Sequence, residues 1–350
     1  MQSEQASAGC SSSFFTVDNL PMHERYGVWK DSINCLFGVD ADKKVRDEGF
    51  TSSIESHLFG SLMLMNVKSR EQNWGRAYSQ IAGNGMDHYG VGIFTKGSLA
   101  CETGKGGTEL RRKGLVVYDL TQPFTAQTSD LESISLTIPR ALVEELLHQP
   151  DDHCMRFLDP DDPMVRILYD QLTSIYQNVR SLSHQQSLAI GKTLALMISN
   201  CLNTASGPTR ETTHQRSGIM NMVRMRRYFR ENLGSPDLNP RQAAHDLGVS
   251  RSKLYNYFAP YGGVYNYIRD MRLRQAISLL NDPLRARSSI YDLALECGFS
   301  SDASFIRAFR EKYDTTPGEV RNGAVVSERQ TTNTNDLVDK RYESWLYGLT

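Results

Sequence analysis

The sequence has no run of 18 or more apolar residues, which excludes a membrane-spanning helix. It has few cysteines: six, at positions 10, 35, 101, 154, 201 and 297, with no Cys-x-x-Cys pair. That scatter excludes a disulfide framework and a zinc ribbon, and fits reduced thiols in the cytoplasm. Charge of either sign in excess is also missing. The 39 Lys and Arg balance 40 Asp and Glu to a net −1, so the chain does not coat nucleic acid or anionic lipid by bulk charge. The first 13 residues lack the basic-then-apolar order of a secretory signal. Wholesale disorder is excluded by an ordinary composition, 23% charged and 9% aromatic.

A length of 350 residues suggests two or three domains, each large enough to bury a core. Residues 1–13 read as a flexible polar leader and 14–203 as a mixed domain. In the latter a helical stretch near 22–36 precedes strand-like runs at 58–67, 90–94, 114–120 and 131–138. Turn-rich pieces at 82–86 and 104–107 separate them, so an antiparallel sheet or small barrel is predicted. Helical periodicity follows at 140–148 and, as a pair of helices, at 164–202. Residues 204–217, with Gly-Pro and no periodicity, read as a linker. A strongly helical domain spans 218–321, and 322–350 is a polar tail whose stretch 337–346 reads as frayed rather than docked.

The helical domain contains an internal repeat. Ala244-His-Asp-Leu-Gly248-Val-Ser250 and Ala294-Leu-Glu-Cys-Gly298-Phe-Ser300 share Ala, Gly and Ser at an offset of 50, and the closing Phe258 and Phe309 recur at 51. Each copy is a short helix ending at Gly, a tight turn, and a second helix opening at Ser, the layout of a helix-turn-helix. Asn239-Pro240-Arg-Gln242 supplies a cap, Pro at the first helical position and Gln at the third. Gly248 and Gly298 stand where a helix ends with positive φ. In the first presumed recognition helix Leu254 and Phe258 face inward, leaving Ser252, Tyr255 and Asn256 outward. In the second Phe305 and Phe309 face inward, leaving Ala303, Ile306, Arg307 and Arg310 outward. Two amphipathic helices of an ordinary all-α core would explain one copy; two matched copies favour DNA binding. Arg251 and Lys253 oppose the helix dipole in the first turn of the first recognition helix, a small cost that a phosphate converts into affinity, and Arg310 and Lys312 are expected to contact phosphates as well. An intervening helix at about 263–280 spans roughly 27 Å. With helix widths added, the two recognition helices reach successive major grooves about 34 Å apart.

At this point the sequence resembles AraC/XylS-type transcription regulators. Ile290, Leu293-Ala294, Gly298-Phe299, Ser304-Phe305, Arg307, Phe309-Arg310 and Thr316-Pro317 with Arg321 match that family's C-terminal signature, over about 220–321. The stretch 58–147 is similar to its cupin-like sensor domain, through Val117-Tyr118-Asp119 and Ile138-Pro139-Arg140. The resemblance implies an α+β protein: an N-terminal cupin-like β-barrel with flanking helices, and a C-terminal all-α domain with two helix-turn-helix units. It implies a cytoplasmic homodimer that binds double-stranded DNA, with RNA polymerase as the partner of an activator and a small molecule as effector. Ser252, Tyr255 and Asn256 match the base-reading face of the first recognition helix, and Asp302, Ala303, Ile306 and Arg307 that of the second. Asn256 stands where Arg is frequent, and suits adenine rather than guanine. Asp314 replaces the usual Gly of the ending, and Asp tolerates left-handed geometry.

Other residues offer further sites. Trp74, Arg76, Tyr78, His88, Tyr89 and Tyr118 combine aromatic walls with polar handles for an effector, although each is equally readable as core or surface. Arg76 is the candidate for an anionic effector. A cupin-type enzyme would need two His one residue apart with a nearby Glu, and the eight His contain no such pair, so no metal, cofactor or catalysis is expected. Gly104-Lys-Gly-Gly107 lacks the spacing of a phosphate loop. The alternatives are a cupin-type enzyme carrying the same DNA-binding domain, and a regulator without an effector that is controlled by a partner protein or by expression level. Residues 218–321 carry 16 Lys and Arg against 11 Asp and Glu, net +5, and the remainder carries net −6. The near-neutral whole is an average over domains of opposite sign.

Overall fold

A computed structural model describes residues 10–102, 108–111, 114–204, 213–322 and 338–349. The expected turn at 104–107 lies outside them. Twelve strands are described: β1 Ser12–Thr16, β2 Gly38–Asp40, β3 Ser52–Phe59, β4 Leu62–Ser69, β5 Gln72–Arg76, β6 His88–Lys96, β7 Leu99–Glu102, β8 Thr108–Arg111, β9 Leu115–Asp119, β10 Phe124–Thr128, β11 Leu131–Pro139 and β12 Arg156–Leu158. The principal helices are α1 Met22–Ile33, α2 Tyr78–Asn84, α3 Pro163–Asn178, α4 His184–Thr204, α5 Thr213–Glu231, α6 Pro240–Asp246, α7 Arg251–Phe258, α8 Val264–Asn281, α9 Ile290–Glu296, α10 Asp302–Tyr313 and α11 Arg341–Gly348. Two compact units result. One comprises residues 1–77, 87–208 and 335–350, and the other 78–86 with 209–334.

In the first unit a seven-stranded sheet, ordered β1-β3-β4-β11-β6-β9-β12, faces a five-stranded sheet, ordered β2-β5-β10-β7-β8. All pairings are antiparallel, so the expected barrel takes the form of two facing sheets. The run 58–67 is not one strand. Gly60, with φ +64°, turns the chain between β3 and β4, a break at Gly60-Ser61 that the apolar residues on either side concealed. Helices α3 and α4 bury Leu168, Leu172, Leu194 and Ile198 against the larger sheet, as their spacing predicts. Leu188, placed on that buried stripe by periodicity, is 36% exposed. The helix expected over 140–148 is one turn, Arg140–Val143, followed by a 3₁₀ turn.

The C-terminal tail corrects the frayed reading. Helix α11 buries Tyr342 and Leu346 in the sheet unit; the Tyr342 hydroxyl donates to the Ser32 carbonyl at 2.9 Å, and its ring lies 6.0 Å from Phe15. Sparse apolar content hid a helix anchored by two residues one turn apart. Beside them the Glu343 Oε1 is buried without a hydrogen-bond partner, and burial pushes that carboxyl up to about 7. Its folded value lies above that of the unfolded chain, about 4.3. The native state therefore keeps a proton that the unfolded chain releases. The stability contribution is full below pH ~4.3 and is lost as pH rises through about 7. Glu343→Gln should flatten that decline, raising the tryptophan-monitored unfolding midpoint at pH 8 and leaving it nearly unchanged at pH 4. Equal pH slopes for variant and parent would refute the assignment.

In the second unit, two cores lie along one helix. The first half of α8 contributes Val264, Tyr267, Ile268 and Met271 to a core with Leu254 and Phe258. Its second half contributes Leu273, Ala276, Ile277 and Leu280 to a core with Phe305 and Phe309. The expected turn at 82–86 is instead largely helical: α2 supplies Ile81 and Ala82 to the second core, and Gly85, at φ +64°, ends it. Gly there reads as a turn when only local signals are weighed; burial of two apolar neighbours overrides it.

Candidate nucleic-acid interface

Each of two short helix pairs presents one outward helix. Asn239 caps α6, its side chain accepting from the Arg241 and Gln242 amides at 3.0 Å, with Pro240 in the first turn. Gln242 binds Asp246 rather than reaching back to the cap. Leu247 ends α6 and Gly248, at φ +65°, makes the turn. Ser250 then caps α7, accepting from the Lys253 amide at 3.2 Å. In the second pair Ser289 and Asp292 form a reciprocal capping box on α9, and Gly298 turns at φ +80°. Ser301, not Ser300, caps α10, accepting from the Ser304 amide at 3.2 Å. The two units therefore correspond at 51 residues in their second helices, as the Phe spacing indicates, with one more residue in the second turn. Asp314 closes α10 in left-handed geometry at φ 54°, as expected of an Asp standing in for Gly.

Burial separates the faces cleanly. Leu254, Phe258, Phe305 and Phe309 are wholly buried, whereas Arg251, Ser252, Lys253, Tyr255 and Asn256 on α7 are exposed. On α10 Asp302, Ala303, Arg307 and Arg310 are exposed and Ile306 is half-buried. Ala303, Ile306, Arg307 and Arg310, together with Glu311, line one open concavity. Lys312, whose position near the end of α10 suggests a phosphate contact, lies 2.9 Å from Asp270. The structure thus brings the candidate DNA-reading residues onto two exposed faces of one unit.

The effector candidates do not converge. In the sheet unit a cavity of about 70 Å³ lies between the sheets, with Trp74, Tyr118, Phe37, Gln72, Ser133 and Ser135 in its wall. The Trp74 and Tyr118 rings are 5.8 Å apart, and the buried Trp74 Nε1 has no hydrogen-bond partner. Arg76 does not line this cavity. Its Nη1 donates to the Leu36 carbonyl at 2.6 Å, and burial pushes its pKa down to about 10. His88 meets the carbonyls of Asp87 and Leu346, and burial lowers its pKa. The Tyr89 hydroxyl accepts from Arg140 and donates to the Pro150 carbonyl. Tyr78 belongs to the second unit, where its ring stands 6.3 Å from Tyr313. Sequence reasoning missed Gln72, whose side chain receives the Trp29 indole at 2.9 Å. Alternation along β5 places Gln72, Trp74 and Arg76 on one face, and was the available signal.

The family model described as AraC-binding-like domain matches residues 38–203, and the one described as helix-turn-helix domain matches residues 243–323. The probable transcription factor PqrA of Proteus vulgaris is 33% identical over 87 residues, 24% of this chain and 69% of that protein. The chain belongs to the AraC/XylS family of transcription regulators. This AraC/XylS chain is also 24% identical over 210 residues to the XylDLEGF operon transcriptional activator 1 of Pseudomonas putida, covering 57% of this chain and 62% of that protein. It therefore spans less than two thirds of that relative's length. The AraC-like transcriptional activator CuxR has the same fold, with a TM-score of 0.53, 24% identity, and coverage of 76% of this chain and 95% of that one. Within the sheet unit of this AraC/XylS chain, Asp119 and Arg140 form a buried ion pair at 2.5 Å.

Proposed function

We propose that this AraC/XylS regulator reads double-stranded DNA with α7 and α10 and controls transcription in the cytoplasm, as a homodimer working with RNA polymerase. The observation that carries the reading is the pair of capped helices whose polar faces are exposed while their apolar faces close two separate cores. Ser252, Tyr255 and Asn256 on one, and Asp302, Ala303, Ile306 and Arg307 on the other, are the base-reading set. Arg251, Lys253 and Arg310 supply phosphate contacts. A net charge of only +5 over 218–321 places the weight on base contacts and on dimerisation rather than on bulk charge. Exposed Ile167, Leu188 and Leu196 on α3 and α4 support a dimer through those helices. A small effector belongs to the same reading, held in the cavity at Trp74 and Tyr118.

Enrichment of a randomised 30-base-pair duplex pool on the full-length protein should yield a two-part consensus. Arg307→Ala should then weaken binding to that consensus by about 1–3 kcal/mol, with relaxed preference at one base. A uniform loss on scrambled duplex would make Arg307 a phosphate contact instead, and failure of any sequence to enrich would defeat the DNA-binding reading.

A further inference from the structure

Three segments of the second unit meet at one point. Arg272 sits on α8 where the helix passes from the first core, after Met271, to the second, beginning with Leu273. Its Nε donates to the Leu233 carbonyl at 3.1 Å and its Nη2 to the Ser235 carbonyl at 2.7 Å. The 233–235 turn joins α5 to α6, and Leu233 is part of the first core. The third segment is the turn of the second helix-turn-helix. A Cβ on Gly298 would stand 2.5 Å from the Leu233 carbonyl oxygen and 2.8 Å from the Arg272 guanidinium. On the opposing side a Cβ on Gly234 would stand 2.9 Å from the Glu296 carbonyl oxygen. Two backbone turns, one from each DNA-reading half, are therefore pressed together where neither carries a side chain, and Arg272, hydrogen-bonded to the first turn, lies against the second.

We propose that Arg272 is a positioning residue that sets the spacing between the two DNA elements read by α7 and α10. This rests on the DNA-binding reading and adds to it. Rotation of one half against the other about the middle of α8 would break two charge-assisted bonds and part the two glycine turns. Such rigidity matters on DNA, because one inserted base pair moves the second element about 3.4 Å along the duplex and about 34° around it. A planar guanidinium suits this task, since it holds two carbonyls of one turn in fixed directions, which a lysine ammonium on a flexible stem does not. The ion pairs that also link the first half of α8 to α10, Lys312 with Asp270 at 2.9 Å and Arg269 with Glu311 at 3.5 Å, involve partly or largely exposed groups and constrain less. Both turn-facing nitrogens of Arg272 are engaged, so this arginine is not a phosphate contact like Arg251.

The test uses the full-length protein and the two-part duplex enriched from the randomised pool, remade with zero, one or two extra base pairs between the elements. The parent should lose at least tenfold in affinity with one added pair. Arg272→Met should lose less than threefold on the same change, with unaltered base preferences within each element, and Gly298→Ala should likewise broaden the spacer profile. Arg272→Lys should fall between, and it decides the matter should the Met variant not fold. A folded variant with the parental spacer profile overturns the proposal, as does a loss of affinity that is uniform across all spacers. Failure of the parent itself to enrich any duplex overturns the DNA-binding reading and this inference with it.

Discussion

Arg140→Met is expected to destabilise the sheet unit by about 3–5 kcal/mol, because it strands a buried carboxylate. The Arg140 side chain is 4% exposed and that of Asp119 fully buried, with Nη2 and Oδ2 at 2.5 Å. The same guanidinium donates to Asp87 at 2.5 Å, to the Tyr89 hydroxyl at 2.6 Å and to Thr121 Oγ1 at 3.0 Å, and stacks 4.5 Å from the Tyr89 ring. Methionine fills much of the volume but supplies none of the donors. Asp119 would keep the Thr121 amide and hydroxyl and the Gln122 side-chain amide, which solvates part of its charge and holds the loss within that range. Tryptophan emission gives a clean readout, since all three tryptophans, 29, 74 and 345, belong to the sheet unit. In urea, the emission midpoint should fall while the transition of the helical unit stays in place. A shift under 1 kcal/mol would show that water replaces the arginine at little cost.

The second large effect is ligand stabilisation of the same unit. An uncharged aromatic compound carrying one acceptor, at 100 times its dissociation constant, is expected to add about 2.7 kcal/mol to the stability of the sheet unit and to alter Trp74 emission. The wall of the cavity explains the selection: its lining side chains are apolar, aromatic, amide or hydroxyl, with no cation, and the indole nitrogen of Trp74 lacks an acceptor. A carboxylate would lose its hydration there without a countercharge. The volume of about 70 Å³ is roughly half the 150 Å³ cavity that accepts benzene, so binding entails side-chain movement. The Tyr118 ring in that wall lies directly over Gly90. Trp74→Phe should keep the wall and weaken the compound by about 0.5–1.5 kcal/mol through the lost donor. Stabilisation by carboxylates alone would reverse this assignment and restore Arg76 as the effector's partner.

Legibility differed between the two units for a physical reason. A helix-turn-helix is specified locally: caps at Asn239 and Ser250, positive-φ glycines at 248 and 298, and a buried Phe at each second helix all act within a few residues. The outward residues follow from 3.6-residue periodicity, so the candidate DNA-reading faces could be written down from the sequence. Even there the cap of α10 was misplaced by one residue, because Ser300 and Ser301 are chemically equal and the choice rests on packing of Phe305. The effector candidates were chosen by composition over 74–118, and composition does not say which strands face each other. Register does: it puts Trp74 opposite Ala126 and Tyr118 opposite Gly90, aiming both rings into one space while Arg76 turns to Leu36.

By itself, then, the sequence determined the helix-turn-helix repeat, the charge asymmetry along the chain and the family, since all of these reside in short-range patterns. Tertiary structure alone decided the rest. It recruited α2 into the second helical core, returned α11 to the sheet unit, hid Arg76 and Arg140 among carbonyls and carboxylates, and set Arg272 between two glycine turns. Each of these outcomes depends on residues tens to hundreds of positions apart sharing one desolvated space. Whether a buried charge or a lone apolar pair is tolerated is settled there, by the partners that the fold supplies.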